Sequence, residues 1–160
     1  MHLAPGPTLL AFSALGCALM GGVFLAFSLF VMRGLEALRP EDGAAAMRAI
    51  NAAALRPPFM ALFFGTALAC AGVVALGLFG HGPHRGPLAI AGALVYLAGG
   101  LGVTALRSVP MNERLAATPP GTAEAAALWT RFLALWTLWN HVRAVAAALA
   151  AVLLGLALAR

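Results

Sequence analysis

The chain has 160 residues, of which 62% are hydrophobic and 9% charged, with a net charge of +5. A soluble domain carries about 25% charged residues, so this composition excludes one and points to a single small membrane domain. The ten basic residues are all Arg and form no basic run, which excludes nucleic acid as a partner despite the positive balance.

Four apolar blocks occupy residues 8–32, 58–79, 88–106 and 133–159. Each is long enough to cross a hydrocarbon core of about 30 Å at about 1.5 Å per residue. Their Leu, Ala and Gly content shows no period-two alternation, so barrel strands are excluded. The sequence predicts an all-α integral membrane four-helix bundle in the lipid bilayer. The first block has no Lys or Arg before it and is too long for a signal peptide, so it reads as a retained span. Ala14, Ala18, Gly22 and Ala26 recur at intervals of four along it. That stripe suits close helix approach, either within the bundle, the reading preferred here, or in a homo-oligomer.

In the first connection, Pro40-Glu41-Asp42 is a helix start and Pro57-Pro58 a stop, which predicts a short surface helix between spans one and two. The second connection is a Gly- and Pro-rich turn holding His81 and His84. Without Cys or carboxylate it is a poor metal cage, and the two read as surface histidines. The third connection carries Pro110-Met111-Asn112-Glu113-Arg114-Leu115 and then Pro119-Pro120-Gly121. Thr122 with Glu124 starts a last helix longer than a membrane is thick.

Seven of the arginines lie in the first and third connections. The positive-inside rule then places those connections in the cytoplasm and both termini outside a bacterial cytoplasmic membrane. All five acids lie in the same connections, which predicts Arg–acid pairing there rather than a lipid-binding basic patch.

The last helix carries Trp129, Trp136, Asn140 and Arg143 at spacings that put them on one face, with His141 on a neighbouring face. Such a face is either a wall for a flat aromatic ligand or an interfacial Trp belt with a snorkelling Arg. Asn112 and Arg114, and Arg48 and Asn51, belong to the same side of the bundle. Polar groups converging from three segments would favour a pocket. No Asp or Glu lies in any block, Cys17 and Cys70 read as single packed thiols, and no nucleotide loop or zinc signature occurs. The sequence therefore predicts no metal and no cofactor.

Gly21-Gly22-Val23-Phe24, Phe27-Ser28-Leu29-Phe30-Val31-Met32, Met47-Arg48-Ala49-Ile50-Asn51, Asn112-Glu113-Arg114-Leu115 and the Trp136–Arg143 stretch follow in this order. The set resembles the anthrone-oxygenase-like family of small four-helix membrane proteins. The resemblance implies oxidation of an anthrone-like polycyclic aromatic, or a quinol-like compound, by dioxygen without metal or flavin. It further implies His141 as base and Arg143, with Arg48 or Arg114, as the cation that stabilises the ligand anion. Asn140, Asn112 and Asn51 would orient the ligand and Trp136 would stack on it. The alternative is a non-enzymatic structural or accessory protein whose polar residues join helices. A transporter is disfavoured because no Pro interrupts the apolar blocks. An open apolar cavity beside Trp136 and Arg143 would favour ligand binding. A closed network ending at Glu113 would favour structure.

Overall fold

The computed structural model describes residues 5–79 and 86–160, so His81, His84 and Arg85 lie outside the described residues. Four long helices, α1 (Gly6–Glu36), α3 (Pro57–Phe79), α4 (Pro87–Ala117) and α5 (Ala123–Leu158), are each apolar enough to cross a membrane. The chain is an all-α integral membrane bundle. The short helix α2 (Pro40–Ala54) joins α1 to α3. Pro40 stands at its first position and Glu41 and Asp42 in its first turn, where acids suit the positive end of the helix dipole. Thr122 caps α5 by accepting the Ala125 N–H at 3.1 Å.

The helices form a square. α1 and α4 each pack on both α3 and α5, and α2 lies across the Arg-rich end against α1, α4 and α5. One buried core runs through the four long helices and includes Leu10, Met20, Phe63, Val73, Tyr96 and Leu154. Cys17 and Cys70 meet in it as packed thiols, Sγ to Sγ 3.8 Å. Tyr96 is fully buried there, and its hydroxyl makes no hydrogen bond. A second core at the Arg-rich end joins Met32, Leu35, Met47 and Leu115 to Trp129, Phe132 and Trp136. These three rings stack along α5 with centroids 5.6 and 5.9 Å apart. The outer faces are as apolar as the core: Phe12, Leu68, Val145 and Val152 are all exposed. A chain solvated by lipid has no reason to segregate polar residues outward.

The small-residue stripe of α1 behaves differently from expectation. Ala18 and Gly22 face outward. The close approaches are made instead by Gly16, whose Cα faces the Thr66 side chain, and by Gly21 against Ala147. These lie on the same side as Cys17, Met20 and Phe24, which are buried. In α4, Gly92 sits against Leu153 and Leu154, and Gly99 against Ala146, as close packing requires.

Two helices outrun their apolar blocks. α1 continues to Glu36 and α4 to Ala117, so Pro110, Asn112 and Arg114 lie on a helix and not in a connection. Pro110 cannot donate to the carbonyl four residues back, and its ring crowds that carbonyl. The turns before it widen to π-helix over Leu97–Gly102 and Thr104–Ser108. A third π segment, Phe27–Val31, lies in α1. Such wide turns are frequent at functional sites.

Among the described residues the expected Arg–acid pairing is confined to one place. Arg39 bonds Glu41 at 3.0 Å and Asp42 at 2.7 Å, and these carboxylates raise its pKa further. Among the described residues Glu36, Glu113 and Glu124 form no ion pair. All three are exposed, and solvated charges gain little from pairing.

Candidate ligand cavity

Two of the three π segments line one cavity, through Phe27 on α1 and through Thr104 and Ser108 on α4. α3 packs on α4 as far as Gly102, and beyond it α4 packs against α2 and α5 instead. A space of about 380 Å³ opens between them, roofed by the end of α2 and backed by α5. Its walls are mostly apolar and include five aromatic rings: Phe24 and Phe27 from α1, Phe59 and Phe63 from α3, and Trp136 from α5. Leu55 and Val109, both exposed, stand at its edge.

Its polar groups are few and converge. Arg143 is buried, with 5% of its surface exposed. Its guanidinium is held between the Phe24 and Trp136 rings, 4.5 and 4.9 Å from their centroids. Nη2 donates to Asn140 Oδ1 at 2.8 Å and Nη1 to Thr104 Oγ1 at 3.3 Å. The Thr104 hydroxyl can accept because its own proton goes to the Gly100 carbonyl at 2.7 Å. Asn140, fully buried, donates through Nδ2 to the Phe24 carbonyl at 2.7 Å and to Ser28 Oγ at 2.8 Å. Trp136 Nε1 donates to Asn112 Oδ1 at 2.9 Å.

Two buried polar atoms on this wall have no partner: Arg143 Nε and Ser108 Oγ. Buried donors are almost always satisfied, and an unsatisfied one costs about 1–3 kcal/mol. No carboxylate, imidazole or other titratable side chain besides Arg143 lines the cavity among the described residues. The site is thus an uncompensated cation between two aromatic faces, with spare donor capacity.

Of the residues singled out in the sequence, Arg143, Trp136, Asn140, Asn112 and Asn51 meet at this cavity. Three others do not. Arg48 donates through Nε to the Leu115 carbonyl at 3.0 Å, tying α2 to the end of α4. Arg114 is exposed and turns toward the groove between α4 and α5. His141 is exposed on the outer face of α5. One residue along a helix is a rotation of about 100°, which carries His141 away from the wall that Asn140 faces.

Sequence reasoning missed Thr104 and Ser108. With Asn112 they recur every four residues, a polar stripe down one face of α4. That signal was present and was hidden by ending the span at residue 106. The rings of Phe59 and Phe63 carried no distinguishing mark among many apolar residues.

No curated protein and no solved structure matches the chain. The family model of anthrone oxygenase matches residues 59–153, more than half of it. That stretch holds Thr104, Ser108, Asn112, Trp136, Asn140 and Arg143, the polar wall of the cavity from α4 and α5. The chain belongs to the anthrone oxygenase family.

Proposed function

We propose that the cavity takes a flat polycyclic aromatic of the anthrone or quinol-like class and that the protein promotes its oxidation by dioxygen. The observation that carries this is the buried, unpaired Arg143 between two aromatic faces, beside an open space with unsatisfied donors. A space of 380 Å³ lies within the range of small-molecule sites, about 300–1,000 Å³.

In this reading the ligand plane lies against the Phe24, Phe27 and Trp136 rings, and its oxygen faces Arg143 Nε and Ser108. A cation at that oxygen favours the enolate over the neutral ketone, so the ring methylene loses its proton more readily. No lining side chain is suited to remove that proton, and water at the mouth takes it. The anion passes one electron to dioxygen. The carbon radical and superoxide then combine into a peroxide anion, which takes a proton back from water, and the resulting hydroperoxide loses water to leave a carbonyl. Anthrone and one dioxygen thereby give one anthraquinone and one water. Thr104 and Asn140 fix the guanidinium, and Asn112 fixes Trp136. His141 takes no part.

The competing reading makes the same contacts structural, since Asn140 joins α5 to α1 and Arg143 joins α5 to α4. Against it, the network does not close on Glu113, which is exposed, and an apolar cavity stands open beside Trp136 and Arg143.

The test is oxygen consumption with quinone absorbance, using anthrone and protein in nanodiscs. Turnover above empty nanodiscs, lost in Arg143→Met, is expected. A folded wild type with no excess rate, or a fully active Arg143→Met, overturns the reading.

A further inference from the structure

We propose that the groove between α4 and α5 at the Arg-rich end is a binding site for an anionic phospholipid, with its phosphate between Arg114 and Arg131. This site is separate from the Arg143 cavity and does not depend on what happens there.

Two spaces adjoin in this groove. The outer, about 440 Å³, has Thr118 and Glu124 on its walls, and the inner, about 180 Å³, has Met111, Phe132 and Leu135. Arg114, Arg131 and Leu128 line both, so the two guanidinium-bearing chains stand at the junction. The helix spacing produces this arrangement. Met111 and Arg114 are three apart on α4, and Leu128, Arg131 and Leu135 are three and four apart on α5. Arg114 thus stands one turn from Met111 on α4, and Arg131 stands between Leu128 and Leu135 on α5, so each guanidinium-bearing chain lies beside apolar side chains.

The charges there are unmatched. Neither Arg114 nor Arg131 has a carboxylate within ion-pair distance, and the ion pairs among the described residues belong to Arg39. Glu124 lines the outer space without pairing to either, so the groove keeps an excess of positive charge. Two guanidinium forks facing one cleft suit a phosphodiester, which offers two acceptor oxygens. Basic clefts between membrane helices are recurrent sites for acidic headgroups. The inner space is lined mostly by apolar side chains, and a free phosphate would leave it empty. An acyl chain fills it, and that favours a lipid over a soluble anion.

The experiment is native mass spectrometry of the detergent-solubilised protein titrated with phosphatidylglycerol or phosphatidylcholine of matched chains. Wild type should retain phosphatidylglycerol over phosphatidylcholine by roughly thirtyfold, as about two surface arginines provide. Arg114→Gln with Arg131→Gln should abolish the preference, and Arg131→Gln alone should reduce it. Arg33→Gln with Arg56→Gln, which changes the same net charge on exposed residues elsewhere, should leave it intact. No preference in wild type, its survival in the groove double variant, or equal loss in the control variant would overturn the proposal. Glycerol phosphate is the arm for the headgroup alone. If it displaces the lipid at equal concentration, the acyl part contributes nothing and the lipid assignment falls.

Discussion

Asn140 holds Arg143 in place. Its carboxamide oxygen accepts the Arg143 Nη2–H at 2.8 Å, three residues further along α5, while its nitrogen bonds the Phe24 carbonyl and Ser28 on α1. One amide thus fixes the guanidinium and the spacing of two helices together. Asn140→Ala removes both. It leaves the Arg143 N–H and the Phe24 carbonyl facing a void, and should destabilise the bundle by about 1–3 kcal/mol. Thermal unfolding in detergent measures this. Asn140→Asp should restore the bond to Arg143 but not the donation to Phe24, and an unfolding temperature equal to wild type would contradict the assigned roles.

Arg143→Met should separate ligand binding from folding. A guanidinium at the centre of a membrane helix costs roughly 2.5–3.5 kcal/mol on insertion scales, a cost that an apolar side chain does not carry. Replacement by an apolar chain of similar length should keep the unfolding temperature near or above wild type. It should also reduce binding of an anionic aromatic by on the order of a hundredfold, the scale of a lost charge-assisted contact. Quenching of the tryptophan fluorescence by a non-oxidisable hydroxyanthraquinone reads the binding.

The pH profile should belong to the ligand. A cation beside the reacting oxygen lowers the ligand's own pKa, so turnover rises with pH through that lowered value. In Arg143→Met the same rise should move to higher pH. His141→Ala should leave the profile and the rate unchanged, because its side chain is exposed away from the cavity. A loss of the acid limb near the usual histidine pKa of about 6.5 in His141→Ala would return the base role to that residue.

Gly99 is the close approach that sets α4 against α5 one turn from the guanidinium, because a Cβ there would meet that of Ala146. Gly99→Ala should cost about 1–3 kcal/mol by overpacking. Ala146→Gly in the same chain should recover most of it. A double-mutant cycle on unfolding temperatures shows whether the two couple, and simple additivity would place the strain elsewhere.

Much of this architecture is legible in the residues. Hydropathy alone marks the four spans, because lipid demands unbroken apolar helices. Pro40-Glu41-Asp42 and Pro57-Pro58 bracket α2 as observed, because these residues act on their own local backbone. The extension of α4 was not legible. Falling hydropathy and Pro110 read as an end, whereas widened turns absorb the proline and carry the helix on to Ala117. The site was legible to the resolution of a helical wheel. Trp136, Asn140 and Arg143 share a face, but nothing in their spacing says which faces look inward, so Arg48, Arg114 and His141 were grouped with them. Arg48 instead serves a helix end, and Arg114 a different groove.

The wall that holds Trp136, Asn140 and Arg143 lies on the fourth span, and its partners Phe24, Ser28 and Thr104 lie on the first and third. In chain order the shelter precedes the charge it shelters. A helix bearing a lone guanidinium enters lipid poorly by itself, so α5 depends on docking against helices already in the bilayer. Assembly of the bundle and completion of the cavity are then one event. A half-built molecule, with α5 still outside, would have no cation at the site.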